Sequence, residues 1–251
     1  MKVNVSRKSL GLFLGLLLAS GAALADPIVG AGSFSAGGTV YVSTTMLDFG
    51  LISQPPPGDQ LASINLPTTG AFSYLTATEQ IGMSNLNLAS ATVSATDINF
   101  DGAVPDWITL PGGIDLSLTD IPINSTVPIC GSLADENLPG TLCRAYAGSP
   151  IVLEQGPTGV TATMNLLGSA YYTSDPTTLT PYDGKFSANF TGGEGTISGL
   201  ISAFTTTGSV TTGFSATFST VPEPGTVTAL GFGLLVIGLI NKKKRTAKKS
   251  V

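Results

Sequence analysis

The stretch VTTGFSATF, residues 210–218, decides the fold. Val210, Thr212, Phe214, Ala216 and Phe218 share one parity, and Thr211, Gly213, Ser215 and Thr217 share the other. Successive side chains of a strand point to opposite faces. A period of two with one apolar parity therefore predicts a strand with one buried face and one wet face. The same pattern recurs in VTATMNL, residues 160–166, where Val160, Ala162, Met164 and Leu166 alternate with Thr161, Thr163 and Asn165. Phe186, Ala188 and Phe190 mark a further strand, and Ile114, Leu116 and Leu118 alternate with Asp115, Ser117 and Thr119. The stretches from Tyr41 to Phe49 and from Thr92 to Phe100 are also candidates. These runs are rich in Thr, Val and aromatics and are bounded by Gly, Pro, Asn or Asp. No stretch of the body carries a helical stripe, and no repeat at solenoid or propeller periods is seen. The expectation is an all-β body, an antiparallel β-sandwich or jelly-roll-like domain.

Composition narrows the chemistry. The chain has 251 residues, with 31 Gly, 16 Pro, two Cys, one Trp and no His. Without histidine there is no Ser-His-Asp or Cys-His group, no His-ligated zinc and no histidine pH switch. The formal charge is −5, but it is unevenly placed. Nine of the 11 cations sit at the ends, leaving Arg144 and Lys185 between Asp26 and Val221 against 15 carboxylates. So acidic a body argues against nucleic-acid partners and repels anionic lipid at long range.

The two ends read as addresses. Lys2, Arg7 and Lys8 precede an apolar run from Leu10 to Leu18, and Ala23-Leu24-Ala25 then presents a small-x-small cleavage site before Asp26. That order is a secretory signal peptide, residues 1–25, cut by signal peptidase between Ala25 and Asp26. Residues 26–220 form the exported β-rich domain. At the other end, residues 226–240 (TVTALGFGLLVIGLI) are apolar and KKKRTAKK follows Asn241. As a helix this segment rises roughly 22 Å, a short transmembrane span against a hydrocarbon core of about 30 Å. The basic cluster stays on the cytoplasmic side. Just before the span, Pro222-Glu223-Pro224 forbids regular helix and strand pairing.

Pro-Glu-Pro, a Gly-rich apolar span and a terminal basic cluster, in that order over residues 221–251, resemble the PEP-CTERM sorting signal. The resemblance implies recognition at Pro222, Glu223 and Pro224 by an exosortase-like membrane enzyme, with removal of the span and tail. It also implies a Gram-negative host that makes extracellular polysaccharide. It does not extend to the body. A span left uncut would instead be a permanent anchor.

Cys130 and Cys143 are the only cysteines. A lone pair in an exported chain reads as a disulfide, which at this spacing contributes about 3 kcal/mol. Leu66-Pro67-Thr68-Thr69-Gly70 matches a sortase pattern but lies inside the body, without a span after it, and reads as a turn between strands. Asp97, Asn99 and Asp101, followed by Gly102, fit the first half of a calcium loop, yet Ile108 stands where a bidentate Glu belongs. A strand ending in an Asp-Gly turn is the plainer reading. Trp107 is expected packed or half-buried beside Pro105. Of the adjacent Tyr171 and Tyr172, one should face inward and the other be exposed.

No cofactor is expected, calcium being the one candidate. No spacing singles out the carboxylate pair that glycoside hydrolysis needs, and the chain is read as non-enzymatic. The functional expectation is an exported structural or adhesive protein of the cell surface or extracellular polysaccharide matrix. It would be held transiently at the inner membrane with its body in the periplasm. The alternatives are a calcium-dependent glycan-binding module and a polysaccharide-active enzyme.

Overall fold

A computed structural model describes residues 29–51, 59–131, 133 and 135–220. The signal peptide with its Ala25–Asp26 junction, the Pro-rich stretch 52–58, and Pro222, Glu223, Pro224 and the apolar span all lie outside these residues. Among the described residues no helix is long and apolar enough to cross a membrane.

The chain forms β1 (Gly32–Ser43), β2 (Met46–Gly50), β3 (Leu61–Gly70), β4 (Gln80–Met83), β5 (Leu86–Asn87), β6 (Thr92–Val93) and β7 (Asp97–Leu110). It continues through β8 (Ile114–Pro122), β9 (Leu142–Arg144), β10 (Val152–Gln155), β11 (Val160–Tyr172) and β12 (Asp175–Phe190). A helix, α1 (Ile197–Thr207), precedes the last strand, β13 (Ser209–Thr220). Every strand pairing is antiparallel, as the alternation predicts. The faces that a sandwich would take from two sheets belong here to one sheet. Its path runs β12-β13-β1-β3-β4-β7-β8-β11, and β11 pairs back to β12. Eight strands thus close a ring and leave no free edge along that path.

The ring is not uniform along its length. β1 pairs with β13 over its full length, but on its other side with β3 only from Gly32 to Gly37. From Thr39 to Val42 that side pairs with β2, which carries β5. β11 behaves in the same way. It pairs with β8 over Leu167–Tyr172 and with β10, which carries β9, over Val160–Thr163. One end of the ring therefore splits into two flaps, β2–β5 and β10–β9, on either side of the continuous wall β11-β12-β13-β1.

The inward parity fills the interior with aromatics. Phe49 packs edge-on against Trp107, Phe186 and Phe214, with centroids 6.2, 6.1 and 5.5 Å away. Phe218 meets Phe34 at 5.0 Å, and Trp107 and Tyr182 at 5.9 Å each. Such offset and edge contacts add to the burial of each ring. Gly168 makes room for one of them. A Cβ there would lie 1.9 Å from the Ser117 carbonyl oxygen and 2.6 Å from the Tyr182 ring. The close approach requires glycine.

Several local expectations change. The Tyr41–Phe49 run is a hairpin, because the Ser43 hydroxyl accepts the N–H groups of Thr45 and Met46 and turns the chain. The 92–100 run is also broken: β6 ends at Val93, and the Ser94 hydroxyl accepts the N–H groups of Thr96 and Asp97. Leu66 to Gly70 are the second half of β3 and pair with β1 through Thr69↔Ser33 and Gly70↔Gly32. Pro67, after a cis peptide bond, sits where the β1–β3 register shifts and no ladder N–H is needed.

A helix exists where none was expected. In TISGLISAFTTTG, Ile197, Leu200, Ile201 and Phe204 recur at helical spacing. The Thr196 hydroxyl accepts the Gly199 N–H at the start, and Gly208 ends the helix with φ 77°. Gly199 and the three threonines at 205–207 are weak helix formers, which hides the signal.

Candidate functional site: the split end of the ring

Between the two flaps lies a cavity of about 220 Å³. Its floor is the barrel interior, with Met164, Phe186 and Ala188 from β11 and β12. Leu47 of β2 and Leu153 of β10 face it from the flaps, and Leu200, Ile201 and Phe204 of α1 line it from the helix. No lining residue is charged. Of the hydroxyl groups on the wall, that of Ser43 donates to the Met46 carbonyl and that of Thr205 to the Ser202 carbonyl. The Thr163 hydroxyl donates to the Val152 carbonyl, and half-exposed Tyr146 adds one further hydroxyl to an otherwise apolar wall.

Helix α1 is held over this space mainly by its first turn. Gln155, only 4% exposed, ends β10 beneath it. Its side-chain oxygen accepts the Ile197 N–H, and its amide donates to the carbonyls of Gly156, Gly159 and Gly195. Asn137 reaches the same turn, accepting the Ser198 N–H at 3.0 Å and donating to the Ser198 hydroxyl at 2.8 Å. Asn137 belongs to the loop closed by the Cys130–Cys143 disulfide, so the cross-link read from the sequence supports the helix. Ile201 and Phe204, further along, are only half-buried.

The outer surface of the continuous wall is chemically opposite. Asn65, Ser35, Thr217, Lys185 and Asn165 stand opposite one another across five adjacent strands, β3, β1, β13, β12 and β11. The next row holds Ser63, Gly37, Ser215, Ser187 and Thr163. A shallow cleft of about 970 Å³ runs along the β11, β12 and β13 part of this face, where the carboxylates of Glu154 and Asp183 line it beside Lys185.

The half-loop at Asp97 lies in an extended strand. All three candidates lie in β7 with separate partners. Asp97 accepts from Ser94 and Thr96, Asn99 donates to Asp120, and Asp101 accepts from Thr92. The strand does not end at the Asp-Gly pair but bulges through Gly102 and Ala103, at φ 88° and 61°. Among the described residues no three acidic, Cys or His side chains are grouped to hold a metal.

Beyond this bulge a carboxylate pair does appear. The Tyr171 hydroxyl donates to Asp106 Oδ1 at 2.6 Å, and burial, reinforced by that bond, pushes its pKa up to about 12. Asp115, the strand partner of Tyr171, is buried, and its carboxyl titrates above the usual range through desolvation and then the nearby Asp106. Tyr172 is the residue that packs on the core, while Tyr171, on the outer parity, is covered by β7. Trp107 is fully buried. No family model, curated protein or solved structure matches this chain.

Proposed function

We propose that this chain is an exported structural or adhesive protein of the cell surface or extracellular polysaccharide matrix. It works by binding rather than catalysis and is sorted by an exosortase-like enzyme. The two terminal segments support the export and sorting. The observation that carries the adhesive reading is the hydroxyl and amide grid across β3, β1, β13, β12 and β11. Neutral polysaccharides offer dense hydroxyl donors and acceptors, and a rigid face with matching groups at strand spacing of about 4.8 Å meets them at reduced ordering cost. The lone cation on that face, Lys185, adds a contact for an acidic sugar.

Co-sedimentation of the chain with its host's exopolysaccharide tests this. Native protein should pellet with the polymer, and the triple variant Asn165→Ala, Thr217→Ala, Ser215→Ala should lose at least about tenfold in affinity, several lost hydrogen bonds at about 1 kcal/mol each. Binding unchanged in that variant overturns the adhesive face. Intact-mass and C-terminal mapping of the protein from its host tests the sorting separately: a chain beginning at Asp26 and ending within 222–225 supports it, and a chain running to Val251 removes it.

A further inference from the structure

We propose that the cavity at the split end of the ring is a binding site for a small uncharged apolar molecule, with α1 as its lid. An eight-stranded barrel is just wide enough to be filled by side chains or to hold one small ligand. This one does the first along most of its length and leaves about 220 Å³ at one end. Apolar cavities of roughly 150 Å³ take up benzene and stay dry. At ~30 Å³ per heavy atom this site accommodates on the order of eight heavy atoms.

Water is a poor occupant, because a buried water needs two to four polar partners and the Ser43 and Thr205 hydroxyls are engaged elsewhere. An ion is worse served, since no described lining residue is charged, and the acidic body further disfavours an anion. That leaves a neutral aliphatic chain or single ring. Tyr146 lines the cavity and is 47% exposed. It places a hydroxyl where a ligand's polar end would emerge. Entry is through α1, whose first turn is tied by Gln155 and Asn137 while Ile201 and Phe204 remain half-buried at the rim. Beyond the first turn Ile201 and Phe204 meet the barrel by apolar contact, and such contact can re-form around a guest.

The test uses the full chain in detergent-free buffer, titrated with octan-1-ol and, as a charged counterpart, octanoate. Saturable binding of octan-1-ol is expected, raising Tm by about 4 °C at ten times Kd, with octanoate at least tenfold weaker. Ala188→Phe, which fills the cavity from β12, should weaken octan-1-ol at least tenfold without lowering the unliganded Tm. Should that variant fail to fold, Ile201→Trp on the lid tests the same point. The assignment is overturned by absence of saturable binding, whether the space stays empty or is taken by a second copy or the chain's own apolar segment. Equal affinity for octanoate, or binding that survives the filling variants, also overturns it.

Discussion

The side-chain oxygen of Gln155 accepts the backbone N–H of Ile197 at 3.0 Å, across 42 positions of sequence. The first N–H groups of a helix have no partner within it. Here a buried strand-end amide supplies one and uses its other half to bind three carbonyls of the surrounding loops.

Gln155→Leu keeps the volume and removes all four bonds. Several buried groups then lose their partners, and the expected loss is about 3 kcal/mol. Urea unfolding measures it, and amide exchange in α1 should accelerate more than exchange in β13. Equal acceleration in both would mean that Gln155 supports the barrel as a whole and not the helix.

Tyr182 gives the opposite expectation. Its ring packs on Phe218, but its buried hydroxyl has no hydrogen-bond partner among the described residues. Tyr182→Phe keeps the ring and removes the orphan group, so stability should stay level or rise by about 1 kcal/mol. Tyr182→Ala should lose 3–5 kcal/mol, on the scale of other aromatic truncations. A clear loss on changing to Phe would reveal a partner for that hydroxyl in solution.

Alkali should unfold the protein through its tyrosines. Burial raises Tyr171 from the ordinary value of 10.0 to about 12, and Tyr182 further still. The folded chain therefore holds these protons more tightly than the unfolded chain. Their contribution is complete below pH 10 and lost as pH climbs towards 12. Tm should hold steady up to about pH 10 and then fall, with phenolate absorbance for Tyr182 arriving only on unfolding. Tyr171→Phe should make that fall shallower. A Tm independent of pH from 10 to 12 would contradict the buried placement of these hydroxyls.

The disulfide links stability to the lid. Replacing Cys130 and Cys143 together by Ala should cost about 3 kcal/mol in unfolding free energy. Because Asn137 lies inside the closed loop and binds the first turn of α1, amide exchange in that turn should also rise. Loss of stability without that local change would separate the cross-link from the helix.

What the sequence disclosed was local. The alternation in β13, β12 and β11 is visible because each strand has one buried face, whereas β8 alternates in sequence although Asp115 and Ser117 are buried as well. The Cys130–Cys143 pairing follows from there being no other partner. The hairpin at Ser43 was hidden because its turn is made by hydroxyl groups inside a β-branched run, with no Gly or Pro to mark it. The closure of the ring was out of reach for another reason. Gly32 pairs with Thr220 and Tyr172 with both Ile114 and Asp175, and no local pattern states which distant strand a strand will choose. The cavity is less legible still. Its walls come from strands, flaps and a helix that share no motif, and Gln155 reads in sequence as one more polar residue at the end of a strand.

The pairing of Gly32 with Thr220 places both ends of the body at one pole, tied by the Thr220 hydroxyl to the carbonyls of Gly30 and Gly32. From there β1 runs 12 residues, about 40 Å of strand, before Val42 and Ser43 reach the cavity. Whatever grips the chain at residue 221 holds the barrel like a cup on its stem, with the opening turned away from the point of attachment. If the chain is held at a membrane as proposed, a guest at that opening would come from the bulk phase and not sideways out of a bilayer. Solutes with appreciable aqueous solubility are favoured over long-chain lipids, and the modest size of the cavity imposes the same preference.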